Sequence, residues 1–243
     1  MPHVYTVDLA GMESVPPRWL TVLGYDEILR ADGFFRSSDR LTFVAAHALK
    51  RLVLARAFPD RSAMALRFIA DTFGKPFLAE GTALQFNLSH TIGLVALAVS
   101  FHASVGIDVE TLGSAPVCRD AMRSVLNFAE SAALECAVDW ELAFLALWTA
   151  KEAVIKAEGK GLSLPLSEIE IHQDRALGPS RYWTLWRSRP TPRHVLALAW
   201  DGKDDTVEIH PLRGDDLTAW VPNGGNHGSR AKFAATESDF LET

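Results

Sequence analysis

In Val105-Gly106-Ile107-Asp108-Val109-Glu110, the two-residue period of an extended strand sends Ile107 and Val109 to one face and Asp108 and Glu110 to the other. The two carboxylates then stand roughly 6.5 Å apart at Cα, close enough to reach one cation. Two like charges on an otherwise apolar strand are costly unless something positive lies between them, and magnesium prefers such oxygen ligands. The alternative is a strand end in solvent, where paired acids need no partner. A third acid bears on that choice. At helical spacing Phe144, Trp148, Glu152 and Ile155 share a face, so Glu152 holds a position that periodicity assigns to the core. Lys156 follows one turn later, and a plain Glu to Lys pair on a solvated face is the alternative there. Next comes Glu158-Gly159-Lys160-Gly161, whose glycines would let a ligand approach the backbone and whose lysine could meet phosphate. A helix cap and turn is the plainer account, and the spacing of a P-loop is absent.

The elements that must position these groups are legible in outline. Residues 3–9 alternate and predict a strand, and Pro16-Pro17 open a turn or helix. Residues 39–58 place Leu41, Val44, Ala48 and Leu52 on one face of a helix ended by Pro59, with Arg36, Arg40, Arg51 and Arg56 expected on a solvated basic side. Leu94–Phe101 and Val105–Glu110 are expected to pair as a hairpin. Leu142–Glu158 predicts a long helix stopped by Gly159, followed by strands near 169–172, 182–187 and 195–200. The polar segment from Asn223 onward is expected to be a loose tail.

Composition narrows the function classes. A chain of 243 residues, 48% hydrophobic, has ample core, and a net charge of −6 provides no global field for nucleic acid or an anionic membrane. Any anionic ligand must be held locally. Two cysteines, Cys118 and Cys136, are too few for a disulfide framework and suit a reducing compartment. No signal peptide or apolar span is evident, so a cytoplasmic location with no membrane partner is expected.

Gly106–Glu110 (GIDVE) together with Trp148–Leu166 (WTAKEAVIKAEGKGLSLPL) resembles the signature of the long, surfactin-synthetase-activating type of 4'-phosphopantetheinyl transferase. Arg67-Phe68 with Gly74-Lys75-Pro76, and Phe86-Asn87-Leu88-Ser89-His90-Thr91, resemble family segments that line the coenzyme A site, and the likeness spans about residues 25–200. The resemblance implies transfer of the phosphopantetheine arm of coenzyme A to a serine of an acyl, peptidyl or aryl carrier protein, with release of 3',5'-ADP. It implies magnesium, or manganese, on Asp108, Glu110 and Glu152, with Glu152 and Lys156 catalytic. Arg40, Lys75, Ser89, His90, Asp108 and Lys156 would contact coenzyme A. The base for the serine is left open between Glu152 and a water oriented by Glu110. Many long-type members carry an arginine near the start of the first long helix where Thr42 stands here, and Arg40 is the candidate to replace it.

The implied fold is α/β (α+β), a pseudo-dimer of two similar halves, each a small sheet packed with a long helix. The halves would be residues 1–104, with coenzyme A segments, and 105–225, with the metal site, followed by a tail at 226–243; such a molecule can act as a monomer. Carrier proteins of this family's reaction are typically acidic, so residues 117–128, with Arg119 and Arg123, are the expected docking patch. A non-catalytic carrier-binding module and a metal-dependent pyrophosphate hydrolase are the competing classes. Retention of all the acids weighs against the first, and a mass gain on a carrier would exclude the second.

Overall fold

The computed structural model describes residues 1–113, 125–161, 164–179, 181–202 and 206–222. The expected tail from Asn223, together with Cys118, Arg119 and Arg123, lies outside the described residues.

The first half runs β1 (His3–Asp8), α1 (Pro17–Leu20), α2 (Tyr25–Asp32), α3 (Ser37–Leu54), β2 (Phe68–Ala70), β3 (Pro76–Leu78), β4 (Leu84–Thr91) and β5 (Leu94–Phe101). The second runs β6 (Val105–Thr111), α4 (Phe128–Glu135), α5 (Trp140–Glu158), β7 (Glu170–Ile171), β8 (Arg175–Leu177), β9 (Tyr182–Thr191) and β10 (His194–Trp200). The chain then returns through β11 (Glu208–Arg213) and α6 (Gly214–Trp220). One sheet has the order β11-β1-β5-β4 and the other β6-β10-β9-β8-β7. The strand orders β1-β5-β4 and β6-β10-β9 correspond, with antiparallel neighbours in both and a long helix after the first strand of each. The fold is mixed α/β, with two halves of like topology. β11 breaks the symmetry by pairing in parallel with β1.

Local chemistry accounts for the long helices. Pro17 sits in the first turn of α1, where a missing N–H costs nothing. α5 begins at Asp139, whose side chain accepts from the Leu142 N–H at 3.0 Å, and it ends at Gly159, left-handed at φ 72°. α3 gives way to a short 3-10 turn at Ala55–Ala57 before Pro59.

Strands buried on both faces join the halves. Val95, Leu97 and Val99 of β5 enter the core under α3, while Leu94, Ala96 and Ala98 face the other way. There they meet Val105, Ile107 and Val109 of β6 and Leu196, Leu198 and Trp200 of β10. Each fully buried Val, Leu or Ile contributes about 1.5–3 kcal/mol, so this seam favours one joined unit over two hinged ones. No described helix is long and apolar enough to cross a membrane.

Two expectations are corrected. β5 and β6 do not form a hairpin, because both edges of β5 are taken by β1 and β4. The link turns at His102, φ 72°, and Ser104 is drawn across by Asp201, whose carboxylate accepts the Ser104 N–H at 2.8 Å. β6 therefore pairs with β10, from Val105 opposite Trp200 to Thr111 opposite His194. The basic side of α3 is also not uniformly solvated, since Lys50 and Arg51 are each 5% exposed. Glu27 of α2 accepts from Lys50 at 2.9 Å and Arg51 at 2.5 Å and sits 2.7 Å from His47 Nδ1. Arg51 also donates to the carbonyls of Ala63, Met64 and Leu66. Burial by itself would raise the Glu27 pKa, but His47 and Lys50 overcome it and hold the carboxyl far below its usual range. Arg56 lies 4.0 Å over the Trp220 ring, whereas Arg36 is exposed.

Candidate functional site

The site forms where β4 of the first half meets β6 of the second. Alternate residues of β4 reach across: Asn87 Oδ1 accepts the Ile107 N–H at 2.8 Å, Ser89 Oγ donates to Asp108 Oδ1 at 2.9 Å, and the Thr91 and Thr111 hydroxyls are 2.9 Å apart. Strand alternation gives His90 the opposite face of β4. Asn87 thus satisfies a backbone donor on the edge of β6 that β10 does not cover.

Gly106 sets how closely α5 lies on β6. A Cβ there would stand 2.0 Å from the Ala153 carbonyl oxygen and 2.3 Å from the Ala157 nitrogen, so only glycine permits this approach. The same turn of α5 consequently brings Lys156 Nζ to 2.5 Å from Asp108 Oδ1 and 3.2 Å from Ser89 Oγ. Lys151, on another side of the helix, is fully buried and donates to the Val125 and Leu166 carbonyls at 3.0 Å and to Glu130 at 2.6 Å. That anchoring fixes the rotation of α5. The fixed rotation in turn keeps Glu152 within electrostatic reach of Asp108.

The acids fit a cation. Asp108 is 5% exposed; its Oδ1 takes the bonds from Lys156 and Ser89, while its Oδ2 is buried without a hydrogen-bond partner among the described residues. Glu152 is half-buried, and its pKa is raised first by burial and then by the negative charge of Asp108, with Lys156 opposing. A positive ion between Asp108 and Glu152 would relieve both the desolvation and the repulsion. Glu110, also half-buried, follows two residues along the same face of β6. The ligand atoms of the three acids are not all within 4.8 Å of one another, which only His3, Glu208 and His210 achieve among the described residues.

A cavity of about 650 Å³ opens beside β4, lined by Arg30, Phe34, Ser38, Thr42, His90 and Gly93 among others. Although His90 is exposed, partial desolvation lowers its pKa first and the positive charges of Lys156 and Arg30 lower it further, against a backbone hydrogen bond that raises it. Arg30 and His90 share the cavity wall with the acids Glu13 and Asp39, and the Lys156 and Arg30 charges act on His90.

Not every expected coenzyme A contact reaches this cavity. Arg40 is held by Asp32 at 2.9 Å and is absent from the lining, whereas Thr42 and Arg30 are part of it. Arg30 escaped the sequence reading because a single arginine in the amphipathic α2 carries no local mark of its partner. Lys75 donates to the Val105 and Ala157 carbonyls at 3.2 Å, tying the β2–β3 connection to β6 and to the C-terminal end of α5, where a cation also meets the helix dipole. Burial lowers its pKa, while Asp71 and Asp201 oppose this. It borders a separate cavity of about 290 Å³ with Asp71, Phe77, Gln85 and Gly159. Lys160 lies 3.5 Å from Glu158.

The model of the 4'-phosphopantetheinyl transferase superfamily matches residues 104–208. Across 206 residues the chain is 29% identical to the 4'-phosphopantetheinyl transferase HetI of Nostoc sp., covering 81% of this chain and 86% of that protein. It is 28% identical over 162 residues to the 4'-phosphopantetheinyl transferase Sfp of Bacillus subtilis, covering 65% and 70%. It is 34% identical over 111 residues to the 4'-phosphopantetheinyl transferase AcpT of Salmonella typhi, covering 45% and 56%. The superfamily match contains Asp108, Glu110, Glu152 and Lys156, and the match to HetI extends over most of both chains, so the chain is similar to 4'-phosphopantetheinyl transferases along most of its length.

Proposed function

We propose that this enzyme transfers the 4'-phosphopantetheine group from coenzyme A to a serine hydroxyl of an acyl, peptidyl or aryl carrier protein, releasing 3',5'-ADP. The observation that carries the reading is the junction of Ser89, Asp108 and Lys156 at the seam of the two halves, with one Asp108 oxygen unpartnered beside Glu152.

In this reading Arg30 and His90 hold coenzyme A phosphates at the cavity, and Thr42 adds a hydroxyl to that wall. Lys156, positioned by Asp108 and Ser89, balances the charge that grows on the departing ADP oxygens. The serine oxygen forms a bond to the β-phosphorus, the bond from that phosphorus to the bridging oxygen breaks, and the pair of electrons leaves with 3',5'-ADP. The serine proton passes to Glu152 or to a water that Glu110 orients. Asp108, Glu152 and Glu110 would hold magnesium, with manganese as a substitute, and the ion would supply charge neutralisation at the pyrophosphate. Lys75 supports the site from the structural side by joining its two halves.

The carrier would approach over residues 117–128, of which only the last four are described; Phe128 there is 91% exposed and offers an apolar contact. A monomer acting in the cytoplasm on an acidic carrier completes the reading. Incubating the protein with coenzyme A, magnesium and an apo carrier, then weighing the carrier, tests it directly. The expected result is a phosphopantetheine-sized gain that disappears in Asp108→Ala and Glu152→Ala. Unmodified carriers accompanied by free phosphopantetheine would point instead to hydrolysis.

A further inference from the structure

The parallel pairing of β1 with β11 sets His3 opposite Glu208 and Tyr5 opposite His210, two strands away from β4 in the sheet. Two imidazole nitrogens and the two oxygens of one carboxylate converge there, with one ligand atom from each residue within 4.8 Å of the others. His3 Nδ1 is 3.3 Å from His210 Nε2 and 3.4 Å from Glu208 Oε2, and His210 Nε2 is 3.5 Å from Glu208 Oε1. Zinc in tetrahedral coordination takes nitrogen at about 2.0–2.1 Å and carboxylate oxygen at about 2.0–2.2 Å, which separates neighbouring ligand atoms by about 3.3–3.5 Å. The nitrogen–nitrogen spacing falls in that interval before any ion is introduced, while each nitrogen meets a different oxygen of Glu208, so the carboxylate would bind through both oxygens or turn to present one. From these donors and distances we infer that His3, Glu208 and His210 form a binding site for a divalent transition-metal ion, zinc foremost.

The surroundings suit the assignment. His3 is 2% exposed, and its ring lies 12° from parallel to that of His210. His210 stacks on Tyr5 at 4.3 Å, so both imidazoles are held in place by packing before an ion arrives. The Glu208 side chain is 45% exposed, which leaves an entry path and a fourth position for water. Two nitrogens and one carboxylate select zinc, cobalt or nickel over magnesium, which takes oxygen ligands and dehydrates reluctantly. Arg56, whose charge reaches both Tyr5 and His210, opposes a cation here. Hydrogen bonding within a metal-free His-His-Glu cluster is the competing account of these contacts. Because the ligands come from β1 and β11, a bound ion would pin the returning strand to the first sheet and stabilise only the folded chain.

The test uses tag-free full-length protein, stripped with chelator and held in excess magnesium, titrated with zinc against a chromogenic zinc indicator. One equivalent is expected to bind, with affinity reduced at least tenfold in both Glu208→Gln and His210→Ala and unchanged in Glu152→Gln. Zinc should raise the thermal midpoint of the wild type by several degrees and that of Glu208→Gln by much less. Cobalt should give the visible absorption of a tetrahedral ion, absent from His210→Ala. Glu208→Gln is conservative at a half-exposed position, so its result stands even if His210→Ala folds poorly. Failure to bind an equivalent of zinc, binding that both variants retain, or binding lost only in Glu152→Gln would each overturn the assignment.

Discussion

Replacing Gly106 by alanine adds one methyl group at the contact that seats α5 on β6. That carbon would lie 2.0 Å from the Ala153 oxygen, 2.3 Å from the Ala157 nitrogen and 2.9 Å from the Lys156 carbonyl carbon, while ordinary contact begins at 3.4 Å. All three atoms belong to helix backbone and cannot rotate away, so α5 must withdraw from β6 by more than about 1 Å. Overpacking of this kind costs about 1–3 kcal/mol, which for a chain of this size lowers the thermal midpoint by roughly 2–12 °C. Catalysis should suffer more, because Lys156 sits at the clash and a misplacement of about 1 Å is worth roughly a hundredfold in rate. We expect a folded Gly106→Ala protein whose kcat/KM for carrier modification falls about a hundredfold, measured by intact-mass kinetics at a temperature well below its midpoint. Wild-type stability together with wild-type kcat/KM would refute the claim that this glycine sets the distance between Lys156 and Asp108.

Glu152→Gln should abolish carrier modification, and without divalent metal it should be more thermally stable than wild type at pH 7. The Glu152 pKa is raised in the folded state, so the folded chain binds the extra proton and the wild type loses stability as pH rises through that range. The advantage of Glu152→Gln should therefore shrink toward pH 4.5, and magnesium should reverse it, as melting curves with and without the ion would show. Arg30→Ala should raise KM for coenzyme A about tenfold, and Arg40→Ala should leave it nearly unchanged; equal effects in steady-state kinetics would contradict the placement of these two arginines. Glu27→Gln leaves Lys50 and Arg51 short of a buried counter-charge and should cost about 3–5 kcal/mol in urea denaturation at pH 7. Because the folded pKa of Glu27 is depressed, its contribution is present above about pH 4.5 and drains away below it, so the gap between variant and wild type should narrow in acid.

The chemistry was more legible in the sequence than the wiring. Strand alternation placed Asp108 with Glu110, and helical spacing placed Glu152 one turn before Lys156, because each relation lies within a single element. The partner of β6 was not legible in the same way. A strand buried on both faces carries no mark of which neighbour it joins, and here Ser104, just past the turn at His102, and its distant partner Asp201 redirect it. Arg51 looked solvated because its counter-charge, Glu27, lies 24 residues earlier on another helix. Arg30 and Lys75 show the same limit, since the cavity at one and the carbonyls at the other are assembled only by tertiary packing. His3 and His210 are 207 residues apart, and only the parallel return of β11 makes them neighbours.

That return has a consequence for the order in which the molecule can be built. β1 leaves the ribosome about 200 residues ahead of β11, so one of its two edges is completed only after residues 208–213 have been made. Through most of synthesis the nascent first sheet carries an open, buried-type edge of the sort that pairs with other chains, and at about 5–20 residues per second the exposure lasts on the order of ten seconds or more. Closing it joins segments about as distant as this chain allows, a slow kind of contact to form. The two halves are therefore not independent in folding: the first is completed only by the last strand of the second, so loss of that strand would open the sheet at the opposite end of the sequence.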